Sequence, residues 1–310
     1  MENFRLNEPM RCGEIAWSAT FIVAGAVVTV LNAVGLYVFI TTAAFRTRKH
    51  VMIINLIVTD LLFGAAGMSS TVYYLLKPSD IAFYVFLILN IFPKEASFLT
   101  LGVIAVERMH AIVWPIRHHV LGNSVYRAVM VFVWVLAAVA TTFETLELAV
   151  NEEEISMRVF GVFVTVLFFG VVTSIAACYI SIWVSVRRRK RRKLGAPDKQ
   201  DKALALTLLL VAGTFVATWV IPMLYMSISR MCKGCHQVSF TEMIWLHLVF
   251  AVQSAINPVI YCFRLPEFKE RLKAYVHKVK CFDDSCQQPT DGGQISESYQ
   301  NEDNNLTTAL

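Results

Sequence analysis

Apolar positions along this chain run on rather than alternate. Seven mostly apolar stretches, Ala16–Thr42, Val51–Leu76, Ile81–Val113, Arg127–Leu148, Val159–Val186, Ala203–Ser229 and Phe240–Phe263, are separated by polar or charged segments. A helix needs about 20 apolar residues to cross a bilayer, because hydrocarbon offers backbone groups no water to bond to. Each stretch meets that length, and the third is long enough to tilt or to overhang into water. The pattern predicts an all-α membrane protein, a seven-transmembrane helix bundle. Over Pro266–Val276 the period changes. Phe268, Leu272 and Tyr275 oppose Lys269, Arg271 and Lys273, which predicts an amphipathic helix on the membrane surface. The expected organisation is an N-terminal segment at 1–15, a spanning domain at 16–263, a surface helix at 264–280 and a disordered polar tail at 281–310.

Composition agrees. The chain is 56% hydrophobic and 16% charged, with a mean hydropathy of +0.55, whereas a soluble domain carries about a quarter charged residues. One soluble core cannot hide that much apolar surface. Charge then orients the bundle. Arg46, Arg48 and Lys49, Arg117, the run Arg187–Lys193 and the cluster from Arg264 to Lys280 fall on one side. The other side holds Arg5, Arg11, Lys77, Arg158, Arg230 and Lys233 among Glu8, Glu14 and Glu152–Glu154. The basic side is expected in the cytoplasm and the N-terminus outside. The net charge of +5 is thus a topology signal, and no nucleic-acid partner is expected. Met1–Glu14 is mixed in charge without a small-residue cleavage site, so the first span is expected to direct its own insertion.

Of seven cysteines, Cys12, Cys232 and Cys235 fall outside, where disulfides form; which pair stays open. Cys281 and Cys286 follow the surface helix, where palmitoylation is common.

Ionisable groups inside spans need a partner, a water cavity or a task. Asp60 lies mid-span in Asn55–Asp60, with Asn32, Ser97 and Asn257 in three other spans. A carboxylate with hydroxyl and amide oxygens suits a hard monovalent cation such as sodium; a hydrogen-bonded core without an ion is the plain alternative. Glu107-Arg108 closes the third span, ahead of Trp114-Pro115-Ile116. An arginine at a helix end beside an acid can be held by ion pairing and released when a neighbouring helix moves. Asp201, starting the sixth span, is a second candidate partner. Interfacial snorkelling would explain Arg108 alone. Asn257-Pro258-Val259-Ile260-Tyr261 ends the seventh span, where proline removes a donor and kinks the helix.

Together these residues resemble the rhodopsin-like family of G-protein-coupled receptors, from Ala16 to Lys280. Asn32, Asn55–Asp60, Ser97, Glu107-Arg108, Pro115, Trp134, Tyr179, Phe215, Trp219 and Asn257–Tyr261 stand in the order, spans and depths of that family's pattern. The resemblance implies a non-enzymatic receptor at the plasma membrane, coupling an extracellular ligand to a heterotrimeric G protein. Arg108 would leave Glu107 and Asp201, Tyr179 and Tyr261 would move inward, and Ile116 would fill an apolar pocket on the G protein. Asp60, Ser97 and Asn257 would hold sodium allosterically, with no other cofactor.

Departures accompany the matches. Ile81–Phe86 and Val150–Ser156 lack the family's outer disulfide cysteines, an absence that, with the missing span-five proline and a short second outer loop, resembles melanocortin receptors, though the acidic ligand residues typical of those are not evident. Val171 replaces the span-five proline, and Pro222 follows Trp219 by three residues instead of two. Asn90 stands where monoamine receptors carry their amine-binding Asp, and Ala251 where opsins carry the retinal lysine.

For the ligand, of a class the sequence leaves open, the candidate residues are Asn90, Lys94, Trp219 and His247. Asn90 and Lys94 share a helix face. Lys94 either pairs with an anionic ligand group or forms an internal salt bridge to Glu95, Glu144 or Glu147. The basic third inner loop, Arg187–Lys202, suits anionic lipid headgroups and the G protein. In the tail, Ser296, Ser298, Thr307 and Thr308 are phosphoacceptors suited to arrestin, and Thr308-Ala309-Leu310 fits a PDZ domain. A transporter is the rival reading, but the repeated halves typical of that class are absent.

Overall fold

In the computed structural model the described residues are 12–45, 48–76, 80–149, 155–192, 240–264 and 267–276, together with every position from 206 to 228 except 207, 208, 211, 212, 215, 217 and 226. The elements are α1 (Cys12–Thr41), a 3₁₀ turn (Ala43–Phe45), α2 (Arg48–Leu76), α3 (Asp80–Val113), α4 (Pro115–Val120), α5 (Asn123–Ala149), α6 (Ile155–Arg192) and a last long helix (Phe240–Arg264). Between α6 and that last helix, every described position from 206 to 228 is helical and is labelled α7; Phe240–Arg264 is then α8. Helices α1, α2, α3, α5, α6 and α8 are long and apolar enough to cross a membrane. With α7 they make the seven-helix bundle expected from the apolar runs. Exposed Val23, Val131, Phe132, Val166 and Ile180 form the apolar outer surface such a bundle turns to lipid.

Two boundaries differ from expectation. Helix α6 continues through the basic run to Arg192, shortening the loop expected over Arg187–Lys202. Arg and Lys are good helix formers, and cations are favoured at a helix C-terminus. The Pro115 segment, to which the apolar pattern assigns no element, forms α4, with Pro115 at its first turn and the Leu121 N–H closing on the His118 carbonyl. Proline's missing donor and preset φ suit a helix start.

Helix α3 is central, packing against α2, α4, α5 and α6, while α1 packs on α2 and α8. Lipid is as apolar as leucine, so close packing and hydrogen bonds hold helices together in a membrane. The α1–α2 contact uses glycine for this. A Cβ on Gly64 would lie 2.7 Å from Thr29 Oγ1 and 2.9 Å from the Thr29 amide nitrogen. A polar clamp ties three helices: Asn55 Nδ2 on α2 donates to Thr100 Oγ1 on α3 at 2.8 Å, and Trp134 Nε1 on α5 donates to Asn55 Oδ1 at 3.0 Å. Helix α7 meets α8 through Thr218 Oγ1, which donates to Gln253 Oε1 at 3.2 Å. It meets α3 and α6 through Val216, packed on Ala105, Ile175 and Cys178.

After α8, residues 267–276 are helical. Phe268 is buried, its ring centroid 5.4 Å from that of Phe39. A second unit begins at Leu272, of which residues 272–276 are described.

Candidate functional site

Polar side chains form a column between α2, α3 and α8. Asp60, on α2, is 1% exposed. One of its carboxylate oxygens accepts from Ser97 Oγ on α3 and Ser254 Oγ on α8, each at 3.1 Å. The other accepts from Asn257 Nδ2 at 2.7 Å. Asn32 reaches in from α1 and donates to the Ser254 backbone carbonyl at 3.1 Å. That bond follows from Pro258. Within a helix the carbonyl of residue 254 would receive the N–H of residue 258, and proline has none. Asn32 supplies the missing donor, so the kink and the α1–α8 contact are one feature.

Asp60, Ser97 and Ser254 also line a small cavity with Lys94, Trp219 and Phe250, with room for about one water molecule. Asn257 Oδ1, buried beside Asp60, has no hydrogen-bond partner among the described residues. Carboxylate, hydroxyl and amide oxygens make a donor set that fits a hard cation. The lysine on the same wall is a like charge to any such ion.

Lys94 Nζ stands 5.1 Å from the centroid of the Phe250 ring, and the charges of Glu144 and Glu95 act on it. Phe250 packs on Trp219 with centroids 3.9 Å apart, and Trp219 stacks in turn on Phe98 and Phe168. His247 lies between Phe21 and Phe63, at 5.1 and 5.0 Å. Its Nε2 is buried with no hydrogen-bond partner among the described residues. Of the four residues expected near a ligand, Lys94 and Trp219 therefore share one cavity. His247 adjoins it through Phe63, which also lines it. Asn90 is buried one turn before Lys94, outside the cavity lining.

At the C-terminal end of α3, Arg108 is 5% exposed and its Nε donates to the Glu107 carboxylate. The other Glu107 oxygen is 2.9 Å from His118 Nε2 on α4 and accepts from Tyr126 OH on α5 at 3.4 Å. Tyr126 OH and His118 Nε2 are themselves 3.1 Å apart. Ile116, on α4, is 82% exposed. Tyr179, on α6, packs on the Ala105–Ile175–Cys178 cluster. Tyr261 is fully buried against Phe39 and Phe268. Neither tyrosine hydroxyl has a hydrogen-bond partner among the described residues.

Asp201, Phe215, Cys232, Cys235, the Cys12 side chain and the tail from Cys281 to Leu310, including Thr308–Leu310, lie outside the described residues and side chains. Sequence reasoning missed Ser254, His118 and Tyr126. Ser254 had a readable signal, since it stands three residues before Asn257 on the same face of α8. His118 and Tyr126 had none until α4 folds back onto α3.

The chain matches the model of the "7 transmembrane receptor (rhodopsin family)" over residues 31–261. It is similar to the histamine H2 receptor of Cavia porcellus, 27% identical over 266 residues, which are 77% of this chain and 71% of that protein. It is similar also to sphingosine 1-phosphate receptor 1 of Danio rerio, 23% identical over 88% of this chain and 80% of that one. Human G-protein coupled receptor 20 is 28% identical over 83% of this chain and 72% of its own length.

Proposed function

The chain belongs to the rhodopsin family of seven-transmembrane receptors, and from that membership we propose that it sits in the plasma membrane with its N-terminus outside, where a ligand in the outer half of the bundle drives activation of a heterotrimeric G protein inside. The observation that carries this is the state of the Arg108 end. Arg108 is held by Glu107, while the buried hydroxyls of Tyr179 and Tyr261 have no hydrogen-bond partner among the described residues. An unsatisfied buried hydroxyl costs about 1–3 kcal/mol. A second packing, in which Arg108 leaves Glu107 and those hydroxyls gain partners or water, recovers that cost. Such a bundle has two nearby states, and a ligand that prefers one shifts the population. Asp201 would add to the hold on Arg108. The Pro258 kink and Asn257 would let α8 change packing, and Ile116 would dock on the G protein. Lipid surrounds the bundle, and the tail offers Thr308–Leu310 to a PDZ protein and its serines and threonines, once phosphorylated, to arrestin.

Two of the relatives are named for ligands of different chemistry: histamine is an amine and sphingosine 1-phosphate carries a phosphate. Lys94 favours the anionic side. A cationic ligand group roughly 6 Å from its ammonium would meet about 3 kcal/mol of repulsion at an effective dielectric constant near 20, and Asn90 offers it no compensating charge. The ligand class proposed on this ground is one bearing an anionic group, read by Lys94 beside Trp219, with His247 adjoining through Phe63. Asp60, Ser97 and Asn257 would hold sodium weakly, against the charge of Lys94.

Basal G-protein dissociation in cells, measured across a panel of alpha subunits at matched surface expression, tests the reading. Coupling to at least one subtype should be present in wild type and lost in Arg108→Ala. Coupling that survives the substitution undiminished refutes the switch. If Lys94→Ala leaves ligand potency unchanged while lowering surface expression, its ligand role is refuted and an internal ion pair stands instead.

A further inference from the structure

We propose that His118 and Tyr126 form a proton-linked clasp on Glu107, which sets how tightly Arg108 is held and where α4 presents Ile116. This rests on the receptor reading above and adds a regulator to its switch.

The geometry places three donors around one carboxylate. Arg108 Nε takes one Glu107 oxygen; His118 Nε2, at 2.9 Å, and Tyr126 OH, at 3.4 Å, take the other. The Tyr126 hydroxyl is also 3.1 Å from His118 Nε2, so the ring is placed by two helices at once. Helix α4 needs that placement. None of its residues is buried, and Ile116 and Val120 are 82% and 80% exposed. With no apolar footing of its own, α4 is fastened to α3 and α5 by the hydrogen bonds of His118.

Histidine is the side chain whose charge ordinarily changes between about pH 5 and 8. A neutral ring with its proton on Nε2 already donates to Glu107; a second proton leaves that bond in place and adds a positive charge. Two consequences have the same sign. The bond from α4, already made to a carboxylate, becomes an ion pair between two full charges, and so stronger, which firms the helix that carries Ile116. Glu107 is then shared between two cations that repel one another, which loosens its hold on Arg108. Acidification of the inner face should therefore raise coupling.

The groups facing the His118 ring are Glu107, Arg108 and His110 from α3, and Tyr126 from α5. His110 has its ring centroid 5.8 Å from that of His118. On α4 itself, Arg117 and His119 are exposed. A charge on His110 would oppose one on His118, so His110→Asn sharpens the response if His118 carries it and abolishes the response if His110 does.

The test uses the full chain in lipid nanodiscs with purified G-protein heterotrimer, reading basal guanine-nucleotide exchange from about pH 6 to pH 8. Dividing wild type by His118→Asn cancels the G protein's own pH response. The ratio should rise toward acid by up to about fivefold, the worth of one partly exposed ion pair. His118→Arg, always charged, should be high and flat. A flat ratio, or one rising toward alkali, overturns the proposal. The same variants melted without G protein separate this from the receptor reading. The melting-temperature advantage of wild type over His118→Asn should grow as pH falls, even if no G protein couples. A pH-independent advantage overturns the clasp. His118→Gln, a second neutral donor, repeats both measurements should His118→Asn fold poorly.

Discussion

Gly64→Ala is the perturbation on which two opposite effects can be weighed from structure. In a helix interior alanine is more favourable than glycine by about 1 kcal/mol, so on propensity alone the substitution stabilises. Packing says the reverse. The new methyl would lie 2.7 Å from Thr29 Oγ1, 2.9 Å from the Thr29 amide nitrogen and 2.9 Å from Val28 Cγ1. The nitrogen is backbone of α1 and cannot rotate away, so the two helices must separate. Overpacking of that kind costs about 1–3 kcal/mol, and with backbone among the atoms struck the upper part of the range applies. The net expectation is destabilisation by about 1–2 kcal/mol, or a melting temperature lower by about 3–6 °C. Gly170, on α6, supplies the control, because a Cβ there meets nothing within 4 Å; Gly170→Ala should melt at or above wild type. A thiol-reactive dye suits the assay, since Cys178 is buried and Cys262 is half-buried, both as free thiols. If Gly64→Ala melts no lower than wild type, glycine is not what sets the approach of α1 to α2.

Other outcomes follow from the polar contacts. Asn55→Ala strands the Trp134 indole N–H and removes the donor to Thr100; it should cost about 2–3 kcal/mol and lower the melting temperature more than Trp134→Phe does, equal losses counting against the clamp. Asn32→Ala leaves the Ser254 carbonyl, freed by Pro258, without its donor. In a double-mutant cycle its cost should shrink when Pro258→Ala restores the helical N–H, and strict additivity would contradict the link. Lys94→Met removes a like charge from the Asp60 cavity wall. At roughly 6 Å that charge is worth about 3 kcal/mol, or a factor of ~100 in sodium affinity. The variant should therefore gain thermal stabilisation by sodium over choline that wild type lacks and Asp60→Asn abolishes. Equal sodium stabilisation of wild type and variant would show that Lys94 does not govern the cavity.

The all-helical membrane-spanning fold and the family were legible in the chain itself, because the bilayer is a solvent with one strong rule. Backbone groups must bond internally, so an apolar run of sufficient length has only a helix to form. Asp60, Ser97 and Asn257 could be singled out by the same rule, since a polar side chain in hydrocarbon calls for a reason. What joins them could not. That Ser254 shares an Asp60 oxygen with Ser97, and that Asn32 supplies the donor lost at Pro258, depend on the rotation of each helix about its axis. Lipid-facing and bundle-facing positions here are both apolar, so hydropathy leaves that rotation open. The same holds for Gly64, which reads as a weak helix residue until Thr29 is set against it. It holds most for His118, a loop histidine in sequence that becomes the third group on Glu107 only when α4 folds. Burial in lipid is a property of a segment and is written in its composition; contact between segments depends on distances of a few ångströms, which only the packed bundle decides.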